Sequence, residues 1–163
     1  MKNGTVRIAM ISASGMAHAH MDSIVKDPKL ELAAICDIDQ EKLTQAGEQY
    51  GVTALYTDYQ EMLKDETIDA VVVCTPDQLH KEMTINALES GKHVLCEKPM
   101  SLSLDDCLEM IAAEKRTGKK LMVGQICRYT PGFIAAKKLV DEGAIGELFF
   151  VESEYAHDYS KIG

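Results

Sequence analysis

No apolar run in this sequence is long enough to span a bilayer, which argues against a membrane-crossing helix. The first ten residues lack the apolar stretch and small-residue cleavage site of a secretory signal, so the chain reads as cytoplasmic. Basic charge is scarce. The 17 Lys and Arg against 26 Asp and Glu give a formal net charge of -9. A chain this acidic is unsuited to gripping nucleic acid or an anionic membrane surface. A phosphate-bearing small molecule is not excluded, because local backbone dipoles can bind one. The five cysteines, Cys36, Cys74, Cys96, Cys107 and Cys127, are widely spaced and odd in number, with no C-x-x-C pair. A disulfide framework or a metal site is therefore not expected. Repeats at solenoid spacing and low-complexity segments are also missing.

What is present is an ordinary globular composition, 46% hydrophobic and 26% charged. Its organising pattern is a short apolar run, then a helical stretch, then often a glycine. Residues 6–11 are the first strand candidate. Ala17, Met21, Ile24 and Val25 follow at i, i+4, i+7 and i+8, one face of a helix, with Pro28 as a stop. Residues 30–36 are a strand. Residues 39–50 are a helix capped by Gly51. Residues 54–56 suit a short strand, and Asp58 caps a short helix ending near Lys64. Ala70-Val71-Val72-Val73-Cys74 is apolar on both faces, as a central strand under helices should be. Residues 78–90 are helical, Gly91 closes them, and 93–96 are a buried strand. Ser103 starts a helix with Asp105 and Asp106 in its first turn. Its apolar stripe is read as Leu104, Cys107, Leu108, Ile111 and Ala112, and Gly118 ends it. Residues 121–123 are a further strand. The nine methionines are read as core fillers.

Strands alternating with helices predict an open, doubly wound parallel α/β sheet of the Rossmann type. The alternation stops near Gln125. Thr130-Pro131 opens another helix, with Pro at its first position, running to about residue 142. Gly143 and Gly146 flank a turn, and 148–155 read as a strand. One helix and one strand make no core. The expectation is a dinucleotide-binding domain at 1–126 and, at 127–163, the start of a truncated second α/β domain. Phe149, Phe150 and Tyr155 on that unpaired strand imply that the segment pairs with another copy of the chain or is poorly ordered.

In a doubly wound fold a dinucleotide pyrophosphate sits at the first strand-to-helix turn. Here that turn reads Ser12-Ala13-Ser14-Gly15-Met16-Ala17. Against G-x-G-x-x-G/A, serines replace the first two glycines and Ala17 stands last. A tightly packed small-residue turn gives the same pattern without any ligand. Helix N–H groups and serine hydroxyls in such a turn can donate to phosphate, while the added Cβ atoms hinder close backbone approach. Asp37 ends the second strand, where an acid can bind the adenosine ribose hydroxyls. No arginine lies nearby for a 2′-phosphate, which favours NAD over NADP. Helix capping is the alternative role for Asp37 and the favoured one for Asp39.

Cys96-Glu97-Lys98-Pro99 follows the fifth strand, and ligands in open α/β sheets bind outside the carboxyl ends of strands. A partly desolvated lysine beside a cationic nicotinamide can exchange a proton with a substrate hydroxyl. On spacing alone, a solvated loop lysine explains Lys98 better.

The combination of Val71-Val72-Val73-Cys74-Thr75-Pro76, His80, Ala87-Leu88-Glu89-Ser90-Gly91-Lys92-His93-Val94 and Glu97-Lys98-Pro99 closely resembles the glucose–fructose oxidoreductase / inositol dehydrogenase (Gfo/Idh/MocA) family. The resemblance continues through Arg128-Tyr129-Thr130-Pro131 and Gly143-Ala144-Ile145-Gly146-Glu147. It implies a two-domain NAD(P)-dependent dehydrogenase of sugar, polyol or related hydroxy substrates. Lys98 matches the family's catalytic lysine. Thr75, Pro76, Asp77, His80 and Glu97 match positions around the cofactor, and Ser12, Ser14, Gly15, Met16 and Asp37 fall at its phosphate and ribose end. His20 matches a histidine of the first helix, with a plain helix-surface role as the alternative. Gln125 and Arg128 match the region joining the two domains. The family's other acid/base and substrate residues lie in the second domain, beyond Gly163. His157 and Asp158 are read as surface residues and not as their replacements. The chain alone is accordingly expected to bind NAD weakly and to be inactive, with a homo-oligomer forming through its C-terminal segment. The competing reading is a non-catalytic dinucleotide sensor or protein-interaction module of the same fold.

Overall fold

The computed structural model describes residues 4–154 and 156. These divide into two compact units, the first ending at Gly124 and the second beginning at Gln125.

The first unit is a six-stranded sheet. Its strands are β1 (Val6–Ile11), β2 (Leu30–Cys36), β3 (Leu55–Tyr56), β4 (Ala70–Val73), β5 (His93–Cys96) and β6 (Leu121–Val123). All pairings are parallel, in the order β3-β2-β1-β4-β5-β6. The order reverses between β1 and β4, so the carboxyl ends of those strands flank the crevice where open α/β sheets take ligands. The crossover helices are α1 (Met16–Ile24), α2 (Gln40–Tyr50), α3 (Tyr59–Leu63), α4 (His80–Glu89) and α5 (Leu104–Thr117).

Side-chain alternation along the strands divides the apolar residues into two cores. Met10, Ile35 and Val72 pack with Ala17, Met21, Ile24, Leu43 and Ala46 under α1 and α2. Ile11, Val71, Val73 and Cys96 pack with Met62, Leu88, Met110 and Ala113 under α3, α4 and α5. Met10, Met21, Met62 and Met110 are fully buried, as core fillers should be, but Met16 and Met122 are about half exposed, which corrects the expectation for those two. On the α1 and α2 side the cover thins beyond β4, and Met122 on the edge strand is 48% exposed.

Local chemistry explains most element boundaries. Asp39 caps α2 by accepting the N–H groups of Glu41 and Lys42, and Gly51 ends it at φ 68°. Asp58 and Ser103 cap α3 and α5 in the same way. The apolar stripe expected on α5 is not its buried face. Leu104 and Leu108 are exposed, while Met110 and Ala113 are completely buried. Two stripes at helical spacing coexist on this helix, and contact with α4 selects the one holding the smaller side chain. At the amino end of the sheet, the Lys92 ammonium is buried and donates to the carbonyls of Asp65 (2.8 Å) and Ile68 (3.3 Å). Burial pushes its pKa down.

In the second unit, a 3-10 turn (Ile126–Tyr129) leads into α6 (Pro131–Asp141), with Pro at the first helical turn as the sequence indicates. The strand expected at 148–155 does not form. Residues 148–154 carry no strand assignment, and Tyr155 lies outside the described residues. A lone strand has no ladder to satisfy its backbone groups. His157 and Asp158 also lie outside the described residues.

Candidate cofactor and lysine site

The turn after β1 presents an open helix N-terminus. The residue preceding α1 is Gly15, at φ 57°, and a Cβ there would meet nothing within 4 Å. Helix α1 has no side-chain cap and no acid in its first turn. The N–H groups of Ala17 and His18 go to the carbonyls of Ser14 (3.1 Å) and Gly15 (3.3 Å), which leaves the Met16 N–H and the helix dipole to an anion. A hollow of about 270 Å³ lies beside the turn, lined in part by Ala13, Ser14, Gly15, His18 and Lys42.

Ser12, in the first glycine position, takes φ 105°, the only positive φ of a non-glycine among the described residues. That conformation costs an L-residue roughly 1–3 kcal/mol. Two interactions hold the turn against it. Ser12 Oγ accepts the N–H of Ser14 at 3.3 Å. Asp37 reaches back from the end of β2, where Oδ2 accepts the N–H of Ala13 at 2.7 Å and Oδ1 that of Asp39 at 2.9 Å. Asp37 thus holds the turn together, and each of its oxygens keeps a lone pair for a further donor.

At the carboxyl end of β4, Thr75 Oγ1 is buried and has no partner among the described residues. Pro76 and Asp77 are exposed at the start of a 3-10 turn (Asp77–Leu79). His80 stands behind this loop. It is 1% exposed, with Nδ1 2.7 Å from the Pro99 carbonyl and Nε2 2.9 Å from the Thr75 carbonyl. A neutral ring donates to one of them and a protonated ring to both. His80 therefore ties the β4 loop to the β5 loop and does not face outward.

The β5 loop is held from several sides. Glu97 is buried, its Oε2 accepts the N–H of Lys98 at 3.0 Å, and its Oε1 accepts from His20 Nε2 at 2.8 Å. Gly124, at the end of β6, packs on the same carboxylate, and a Cβ there would sit 2.9 Å from Glu97 Oε1. The Lys98–Pro99 peptide is cis. Lys98 itself is exposed and its ammonium has no ion-pair partner among the described residues. The expected partial desolvation of this lysine is thus not supplied by the first unit. Two features escaped the sequence reading. His20 is the buried carboxylate's partner from 77 residues away, and Gly124 is fixed by that carboxylate's bulk. A glycine directly after an edge strand at the ligand end was the available signal for the second.

Gln125 and Arg128 fall in the second unit, where the Arg128 N–H donates to the Gln125 carbonyl at 3.0 Å. A concavity of about 840 Å³ also lies in that unit, against Arg128, Phe133 and Lys137 of the α6 region. It contains no other residue of the candidate site. Cys36, Cys74 and Cys96 end three adjoining strands. Burial pushes the thiols of Cys36 and Cys74 up to about 12 and that of Cys96 up to about 11, so they pack as small hydrophobes.

An open helix N-terminus after β1, an acid ending β2 and an orphaned hydroxyl beyond β4, all on one edge of a parallel sheet, define a dinucleotide-binding Rossmann domain. The model of an oxidoreductase family with an NAD-binding Rossmann fold matches residues 6–125, and the chain belongs to that family, Gfo/Idh/MocA. An uncharacterized oxidoreductase, YrbE, of Bacillus subtilis is 34% identical over 137 residues, covering 84% of this chain and 40% of its own length. The myo-inositol 2-dehydrogenase of Thermotoga maritima is 33% identical over 142 residues, covering 87% and 42%. The scyllo-inositol dehydrogenase of Lactobacillus casei, solved with NAD(H) and scyllo-inositol, superposes with a TM-score of 0.83 at 28% identity, covering 88% and 43%. The chain therefore spans about 40% of the length of the relatives it matches. No helix among the described residues is long and apolar enough to cross a membrane.

Proposed function

We propose that the chain provides the cofactor half of an NAD-dependent dehydrogenase acting on a sugar, a polyol or a related hydroxy compound. One observation carries this reading. The Glu97-Lys98-Pro99 loop is tied down by His20 and His80, yet leaves the Lys98 ammonium exposed at the carboxyl edge of the sheet. NAD, when bound, would supply a hydride acceptor for the substrate carbon. The open end of α1 receives the pyrophosphate, with Ser12, Ser14, Gly15 and Met16 around it. Thr75 Oγ1 supplies a polar contact beyond β4, and Glu97 a carboxylate beside the lysine. Lys98 Nζ, as the neutral amine, takes the proton of the substrate hydroxyl as its C–O bond becomes a carbonyl, and the resulting ammonium returns that proton in the opposite direction.

Asp37 favours NAD over NADP, because its carboxylate accepts ribose hydroxyls and repels a 2′-phosphate. Residues 127–163 open a substrate domain, with Gln125 and Arg128 at the junction and oligomer contacts in this segment. The inositol dehydrogenases among the relatives support a polyol substrate. The chain alone binds NAD weakly and turns over little. The test is Lys98→Met in protein carrying its substrate domain. Turnover should fall by about 10²–10⁴-fold, the usual contribution of general acid–base catalysis, while NADH binding stays nearly intact. Undiminished turnover rejects the role of Lys98.

The strained Ser12 favours a second reading, a non-catalytic dinucleotide sensor. Retained NADH binding with no turnover in either the unaltered protein or Lys98→Met would select it.

A further inference from the structure

We propose that His20 is a positioning residue for Lys98 and that it couples cofactor seating on α1 to the placement of the lysine. The inference rests on the dinucleotide reading above and deepens it. One turn of helix and two hydrogen bonds make the chain of connection. Helix α1 begins at Met16, directly after the anion-accepting turn, and His20 lies one turn further along it, about 6 Å along the axis. From there Nε2–H donates to Glu97 Oε1 at 2.8 Å, and Glu97 Oε2 accepts the backbone N–H of Lys98 at 3.0 Å.

Each link has little slack. Glu97 is 6% exposed, so its carboxylate depends on these donors in place of water. Gly124 leaves that carboxylate its place, since a Cβ there would come within 2.9 Å of Oε1. On the far side of the lysine, Pro99 is fixed through its carbonyl to His80. Lys98 is therefore gripped at its own N–H and at the next residue's carbonyl, while its ammonium is free. A plain surface histidine would have no reason to face a buried carboxylate. A shift of α1 when the turn takes up a pyrophosphate is passed through His20 to the backbone N–H of the lysine.

The experiment reads Lys98 directly and needs no turnover. The chain is acylated with a small amine-reactive ester across a pH series, with and without saturating NADH, and the labelled peptides are quantified by mass spectrometry. Buried Lys92 reports loss of fold, and exposed Lys115, near the end of α5, reports reagent activity. In the wild-type chain NADH should protect Lys98. In His20→Ala the pH profile of Lys98 acylation should shift and the protection should fall by about fivefold, the size expected for one lost hydrogen bond, with Lys115 and Lys92 unchanged. His20→Gln, whose amide N–H can reach Glu97, should restore both. If Lys92 labelling shows that His20→Ala unfolds, His20→Phe, which fills the space without a donor, is read in its place. A wild-type profile and protection in the donor-free variant overturn the proposal. So does failure of His20→Gln to rescue, since the effect is then one of packing. Absence of NADH protection in the wild-type chain, with no change in NADH fluorescence, overturns the dinucleotide reading itself and the inference with it.

Discussion

The two loops at the ligand edge of the sheet are built by opposite means. The turn after β1 keeps a glycine-loop shape with serine in a glycine position, and it relies on Asp37 to hold a strained backbone. The loop after β5 keeps its motif, and its geometry comes from partners far away in sequence, His20, His80 and Gly124. The first loop is a local conformation under load. The second is a contact network in which the motif residues are only the visible part. Loss of a motif residue is therefore tolerated where a single carboxylate can restrain the backbone. It is not expected to be tolerated where a buried charge depends on its donors.

The largest effect outside Lys98 itself should come from His80→Ala. The substitution strips the Pro99 and Thr75 carbonyls of their donor and leaves a ring-sized hole in a fully buried position. Cavity and lost hydrogen bonds together should destabilise the domain by about 3–5 kcal/mol, read as a lower urea midpoint. A loss below about 1 kcal/mol would mean that the β5 loop is not held from behind and would break the contrast.

Asp37→Ala tests the other loop and should have an intermediate effect. Two backbone N–H groups lose a charged acceptor, worth about 1.5–3 kcal/mol per charge-assisted bond before solvent replaces part of it. The melting temperature should drop and NADH should bind more weakly, because the turn and the ribose contact fail together. Asp37→Asn, which keeps an acceptor for one N–H, should recover much of the stability. Equal stability of Asp37→Ala and wild type would show that the turn holds itself.

These expectations also mark what could be read from the sequence. The sheet was legible because β-branched runs such as Val71-Val72-Val73 and capped helices such as 40–50 carry their signal locally. The α5 stripe was misread because Leu104 and Leu108 have helical spacing as good as that of Met110 and Ala113, and only the position of α4 distinguishes them. The strand expected from 148 failed because a strand's stability lies in its neighbour, which the described residues do not contain. At the site, Glu97, Lys98 and Pro99 were visible as a motif. His20 as partner of Glu97, and His80 as a strap between two carbonyls, depend on contacts spanning 77 and 19 residues that no local pattern encodes.

The smallest expected effect has the opposite sign. Ser12→Gly removes a Cβ from a backbone at φ 105° and so relieves strain of roughly 1–2 kcal/mol. Glycine gains freedom in the unfolded chain, which takes back about 0.5–1 kcal/mol. The hydroxyl's contact with the Ser14 N–H, already long at 3.3 Å, is also lost. The balance should be a stabilisation of about 0.5 kcal/mol or less, near the limit of a melting measurement. Cofactor binding is the sharper readout, since the pyrophosphate would approach bare backbone where a side chain now stands. Ser12→Gly should tighten NADH several-fold in a fluorescence titration, and the gain should vanish in the Asp37→Ala background, where the turn is no longer held in shape. Weaker binding by Ser12→Gly would mean that the serine hydroxyl itself serves the phosphate, and the first loop would then be a functional variant of the glycine turn, not a strained copy of it.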